Sequence, residues 1–154
     1  MIPVQHIHPM LVHFPIVFFL SLTAFDLIAV LRGRDIGGRS YTGTVSTILA
    51  VLAGLSAVAA FVFGSIALDV AEQGGFHSDI AEIHESLGGM TAIAFAVWAL
   101  VRTLAWWRDL RPAGVGAVAV PIVEIAGAIL LIITAYYGGQ LVFDLGVNVL
   151  HGAA

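Results

Sequence analysis

Apolar residues dominate four stretches of the chain, about Met10 to Leu31, Val45 to Leu68, Ile83 to Trp107 and Val115 to Val142, and polar residues gather between them. Each stretch reaches the roughly 20 mainly apolar residues that a helix needs to cross the hydrocarbon core of a bilayer. The intervening segments carry turn chemistry: Arg-Gly-Arg-Asp-Ile-Gly-Gly-Arg at 32–39, Glu72 to Ser78 with Gly74-Gly75, and Arg108 to Gly114 around Pro112. Links this short make sequential helices pack antiparallel. The pattern predicts an all-α protein, a single four-helix transmembrane bundle of up-down topology over residues 1–154.

Composition narrows the class. Of the 154 residues, 60% are hydrophobic and 10% charged, against roughly 45–50% and about 25% in a soluble domain. So few charges cannot cover a water-soluble globule of this size, and the mean hydropathy of +1.02 agrees. The formal net charge is -4 and all 6 basic residues are arginine. No basic stripe is available for nucleic acid. The absence of cysteine excludes disulfides, iron–sulfur clusters, thiolate metal sites, thiol nucleophiles and covalently attached haem. Any metal must be held by His, carboxylate or Met.

The arginines set an expected orientation. Arg32, Arg34 and Arg39 lie in the first link, Arg102, Arg108 and Arg111 at or near the third, and the ends and second link have no Lys or Arg. The positive-inside rule puts both arginine-bearing links in the cytoplasm and both termini outside. Trp106 and Trp107 fall where an aromatic belt residue belongs. No positive charge precedes the first apolar run, so it is expected to be kept as a span rather than removed as a signal peptide. On this map all six histidines, His6, His8, His13, His77, His84 and His151, fall on the outer side, together with most of the carboxylates.

Pro9 suits the first turn of a helix, which places His13 about one turn inside the first span. Ser78 or Asp79 is a plausible N-cap for the third span, with Glu82 completing a capping box, and His84 then lies just over one turn in. His13 and His84 are therefore expected at one depth on different helices. An ionisable side chain inside a span is a functional candidate by default. Two imidazoles facing one another across a helical bundle can ligate haem iron axially. In that reading Gly88 and Gly89 let the macrocycle approach the backbone, helped by Gly138-Gly139, while Phe14, Phe18 and Tyr136 or Tyr137 pack on it. The alternative metal site gathers His8, His13, His84 and Glu85 around copper or zinc. Met10 is a weaker copper candidate. A histidine this near the surface can also be a plain interfacial residue, and His6, His8, His77 and His151 are expected to be solvated or to support the ligands.

At the other end Asp26 and Arg102 should share a depth on the first and third spans, so a structural ion pair is expected between them. Glu124 lies deeper in the fourth span without an evident cation. It is expected to bond within the bundle to Thr23, Ser56 or Thr134, with a proton relay as the sharper possibility. Ala50, Gly54, Ala53, Ala57, Ala60 and Gly64 mark close helix packing in the second span.

His-Pro-Met-Leu-Val-His-Phe-Pro-Ile at 8–16, His84 followed by Gly88, and Gly-Gly-Gln-Leu-Val-Phe with Gly146-Val147 at 138–147 resemble the bacterial membrane family known as domain of unknown function 2231, over nearly the whole chain. The resemblance implies a four-helix membrane domain, often in respiratory or cytochrome-linked settings, with His8, His13 and His84 at the matching positions. Members often carry a histidine before the C-terminal Gly-Val, where this chain has Leu145. Together the residues and the resemblance suggest a membrane protein holding b-type haem through His13 and His84. It would be an electron carrier, alone or as a subunit of a membrane redox complex, rather than a stand-alone enzyme. A copper- or zinc-binding protein and a structural accessory subunit are the alternatives.

Overall fold

The computed structural model describes residues 6–147. They form five helices and, among the described residues, no strand: α1 (Ile7–Leu11), α2 (His13–Leu31), α3 (Tyr41–Gln73), α4 (Asp79–Trp107) and α5 (Val115–Phe143). The first two make one interrupted span, Ile7–Leu31, and with α3, α4 and α5 give four helices long and apolar enough to cross a membrane. The interruption has a local cause in Pro15. It lacks the N–H that would bond to the carbonyl of Leu11, and its ring crowds that carbonyl, so α1 ends at Leu11. Ser40 caps α3 by accepting from Gly43 N–H at 3.0 Å, and Ser78 caps α4 by accepting from Ile80 N–H at 3.2 Å.

The four spans stand in a ring. α3 packs between α2 and α4, α5 packs between α4 and α2, and α2 meets α4 through side chains alone. Small residues bring α3 and α4 together: a methyl group added to Gly54 would lie 2.9 Å from the Cβ of Ala99. Across one diagonal, the Phe19 and Phe95 rings of α2 and α4 stack at 3.7 Å between centroids and 7° between planes, filling the middle of the bundle. Outward-facing Leu, Ile and Val side chains, such as Leu55, Ile93 and Ile132, remain exposed, as lipid-facing positions require.

The bundle is internally repeated. His84, Phe95 and Arg102 each follow His8, Phe19 and Asp26 by 76 positions, and each residue meets its counterpart across the diagonal. The ends of α2 and α4 repeat as well. Arg32 and Arg108 cap them, Gly33 (φ 64) and Asp109 (φ 51) follow in the left-handed region, and Arg34 and Leu110 each donate 2.8 Å bonds back to Ala29 and Ala105, a Schellman-type ending. α3 and α5 correspond with an offset of 74, because the third link is two residues shorter than the first. The buried Pro121, Glu124, Ala128, Leu131 and Thr134 of α5 fall on the buried Thr47, Ala50, Gly54, Ala57 and Ala60 of α3. The two helical hairpins are thus related by an approximate two-fold axis running down the bundle.

The links at the arginine end are tied together. Arg39 donates its backbone N–H to Asp109 at 2.8 Å, and its side chain donates to the Trp107 carbonyl at 3.0 Å while lying 5.5 Å from the Trp106 ring centroid. Trp106 Nε1 donates to Thr44 at 3.0 Å. Trp107 is exposed in the manner of a belt residue, whereas Trp106 fastens α4 to α3.

Candidate functional site

At one end of the two-fold axis the structure brings together His8 and His84, not His13 and His84. Their ring centroids are 6.1 Å apart, with planes at 72°. Nδ1 of His8 lies 2.8 Å from the carbonyl oxygen of Ala60 on α3. Nδ1 of His84 lies 3.0 Å from that of Thr134 on α5. A carbonyl can only accept, so Nδ1 carries the hydrogen in both rings and Nε2 keeps its lone pair. Each ring also rests on a glycine. A methyl group at Gly64 would come within 2.8 Å of His8 Cε1, and one at Gly138 within 2.9 Å of His84 Cε1. Thr134 is braced in turn by a 2.9 Å hydroxyl contact with Thr91.

His13 is exposed at the start of α2. Five residues separate it from His8, about 140° around a helix of 3.6 residues per turn, so the two cannot share a face. The other expected haem contacts move with this correction. Gly88 and Gly89 face the ring of Phe61 on α3, which would lie 3.6 and 3.3 Å from added methyl groups, so that space is filled by packing. Phe14 is half exposed and leans on Phe18 at 6.3 Å. Tyr136 and Tyr137 meet edge to face at 5.7 Å. Glu85 is half-buried and Met10 exposed, and among the described residues no group of three or more His, Asp or Glu side chains is placed to hold one ion. The four-residue set His8, His13, His84 and Glu85 is therefore not gathered. His6 and His77 are exposed, and His151 lies outside the described residues. The signal that selects His8 is spacing. His8 precedes Asp26 by 18 residues and His84 precedes Arg102 by 18, five helical turns each, so the histidines share faces with the ionic residues.

At the other end Arg102 Nη1 donates to Asp26 at 2.7 Å and lies 3.5 Å from Glu124 Oε1, while Nη2 donates to the Ile36 carbonyl at 2.8 Å. Ser46 donates its hydroxyl to the second Asp26 oxygen. Glu124 accepts from Trp98 Nε1 at 3.1 Å, and its Oε2 is buried without a partner. None of the expected partners reaches it, because Thr23 bonds to Phe19 O, Ser56 to Leu52 O and Thr134 to Leu130 O. Both carboxyl groups are fully buried. Beside this cluster a cavity of about 370 Å³ is lined by Ile36, Trp98, Arg102, Ala105, Pro112 and Val120, among others.

Four apolar spans define a multi-pass integral membrane protein, which sits in the lipid bilayer. Residues 5–151 match the family described as predicted membrane protein DUF2231, and the chain belongs to that family. No curated protein and no solved structure matches the chain at a significant level.

Proposed function

We propose that this protein is a b-type haem carrier of a membrane redox system, with His8 and His84 as the axial donors. The observation that carries the reading is the pair itself: two imidazoles on a two-fold axis, each pinned through Nδ1 and 6.1 Å apart, with no third His, Asp or Glu gathered on them among the described residues. Haem iron takes four nitrogens from its macrocycle and needs two from the protein. Each Nδ1 is taken up by a backbone carbonyl, which leaves the two Nε2 atoms as the donors that would hold such a group. The residues present fit. When bound, haem supplies reversible one-electron transfer; the chain supplies the donors, their tautomer and a cover of apolar helices.

By the positive-inside rule the arginine-bearing links favour a histidine end and termini outside the cytoplasm, in a bacterial inner membrane, where other subunits of a redox complex would exchange electrons with the site. A pair of imidazoles also suits two-coordinate copper(I), the second reading, better than zinc, which takes three or four protein ligands. Optical spectra of the purified protein, oxidised and then reduced, decide between them. A Soret band that sharpens and shifts on reduction supports haem. A colourless protein that holds one copper per chain supports the second reading, and one that binds neither leaves a structural accessory subunit.

A further inference from the structure

The two-fold repeat isolates where the second hairpin departs from the first. Leu22, Asp26 and Ala50 of the first correspond to Trp98, Arg102 and Glu124 of the second. An alanine satisfies the packing at position 50, so the fold does not need a carboxyl group at position 124. Burying one inside a membrane is costly, and here it is held by two polar donors while Oε2 has none. With both carboxylates ionised, Asp26, Arg102 and Glu124 carry one net negative charge, and one proton brings the trio to zero. Every element packed around it contributes: Asp26 from α2, Ser46 from α3, Trp98 and Arg102 from α4 and Glu124 from α5. Trp98 and Arg102, the two residues that hold Glu124, also form the wall of the 370 Å³ cavity, whose rim carries Arg111, paired there with Asp35 and Asp109.

We propose that Glu124 is a proton-binding site, loaded and unloaded through this cavity from the arginine end of the bundle. On loading, hydronium gives a proton to Oε2, an O–H bond forms there and water is left; release reverses the step. The inference is independent of the haem reading, since the proton is counted on protein without cofactor.

The test is infrared spectroscopy of the full-length protein in lipid nanodiscs, titrated between about pH 5 and about pH 9, with carbon-13 at the glutamate carboxyls. The expected result is one carboxylic-acid C=O band that follows pH, moves with the label and is lost in Glu124→Gln. Ala105→Phe, which fills the cavity, should keep the band and slow its exchange in deuterium oxide at least severalfold. If Glu124→Gln does not fold, Trp98→Phe retains the carboxyl and removes its indole donor, and the midpoint should shift. A titration without a labelled band, a band that survives Glu124→Gln, or a midpoint unmoved by Trp98→Phe overturns the site. Unchanged exchange in Ala105→Phe overturns the route.

Discussion

Asp26 and Arg102 occupy equivalent positions in the two hairpins yet carry opposite charges, so the contact across the two-fold axis becomes an ion pair of 2.7 Å. Both groups are buried, and a buried pair is expensive to break from one side because the remaining charge is stranded. Arg102→Gln strands Asp26 and Glu124 together and should cost about 3–5 kcal/mol in a detergent unfolding experiment. Pairing it with Asp26→Asn should return part of that loss, since one of the two stranded carboxylates is then removed. Equal losses for the single and double variants would refute the pairing energetics.

The middle of the axis gives a second double-variant test. Phe19 stacks on Phe95 and its Cζ would lie 2.6 Å from a methyl group at Gly127. Gly127→Ala should therefore destabilise by about 1–3 kcal/mol through overpacking, and Phe19→Ala by about 3–5 kcal/mol through the cavity it leaves. Combined, they should cost less than their sum, because the methyl group enters space the ring has vacated. Strict additivity would show that the two positions do not press on one another.

The loops at the arginine end carry a pH dependence. The Arg39 backbone N–H and the Arg111 guanidinium hold the Asp109 carboxyl below its usual range. A carboxyl lowered in the folded state contributes stability that is present above the unfolded value, near 3.8, and lost as pH falls through the folded value. Protection of the Arg39 amide, its exchange relative to the unfolded rate at each pH, should stay high above that range and fall as pH drops through it. In Asp109→Ala the amide should exchange quickly throughout.

Much of this architecture is legible in the sequence, for reasons that explain the misses. Span number and length follow from hydropathy, which needs no knowledge of helix rotation, and Asp26 and Arg102 can be matched by depth because each is the charged residue nearest its arginine-bearing link. Choosing between His8 and His13 needs rotation as well as depth. Pro15 shifts the start of α2, and the face is set by register with Phe19 and Asp26. The equal spacings from His8 and His84 to the residues below them hold that information, yet few identities accompany them, so the repeat emerges once the pairs meet in space. Gly88 and Gly89 read as room for a ligand because a glycine that admits an aromatic side chain and one that admits a macrocycle look alike. Trp98 as the partner of Glu124 depends on how α4 and α5 turn toward each other, which neither helix encodes alone.

The glycines under the histidines separate a built site from incidental contact. Gly64→Ala and Gly138→Ala should push the rings off the carbonyls of Ala60 and Thr134 and reduce cofactor occupancy. Gly139→Ala, with open space around its Cβ position, should leave it unchanged. Cofactor retained after size-exclusion chromatography is the readout, and equal retention in all three would contradict the cradle.

The paired-histidine centre is tested most directly by haem content per chain and the reduced spectrum in His8→Ala, His84→Ala and His13→Ala. Loss of bound haem or of the low-spin spectrum in the first two, with His13→Ala like the parent, is the predicted result. Full haem binding in His8→Ala, or its loss in His13→Ala with His8→Ala intact, would contradict it.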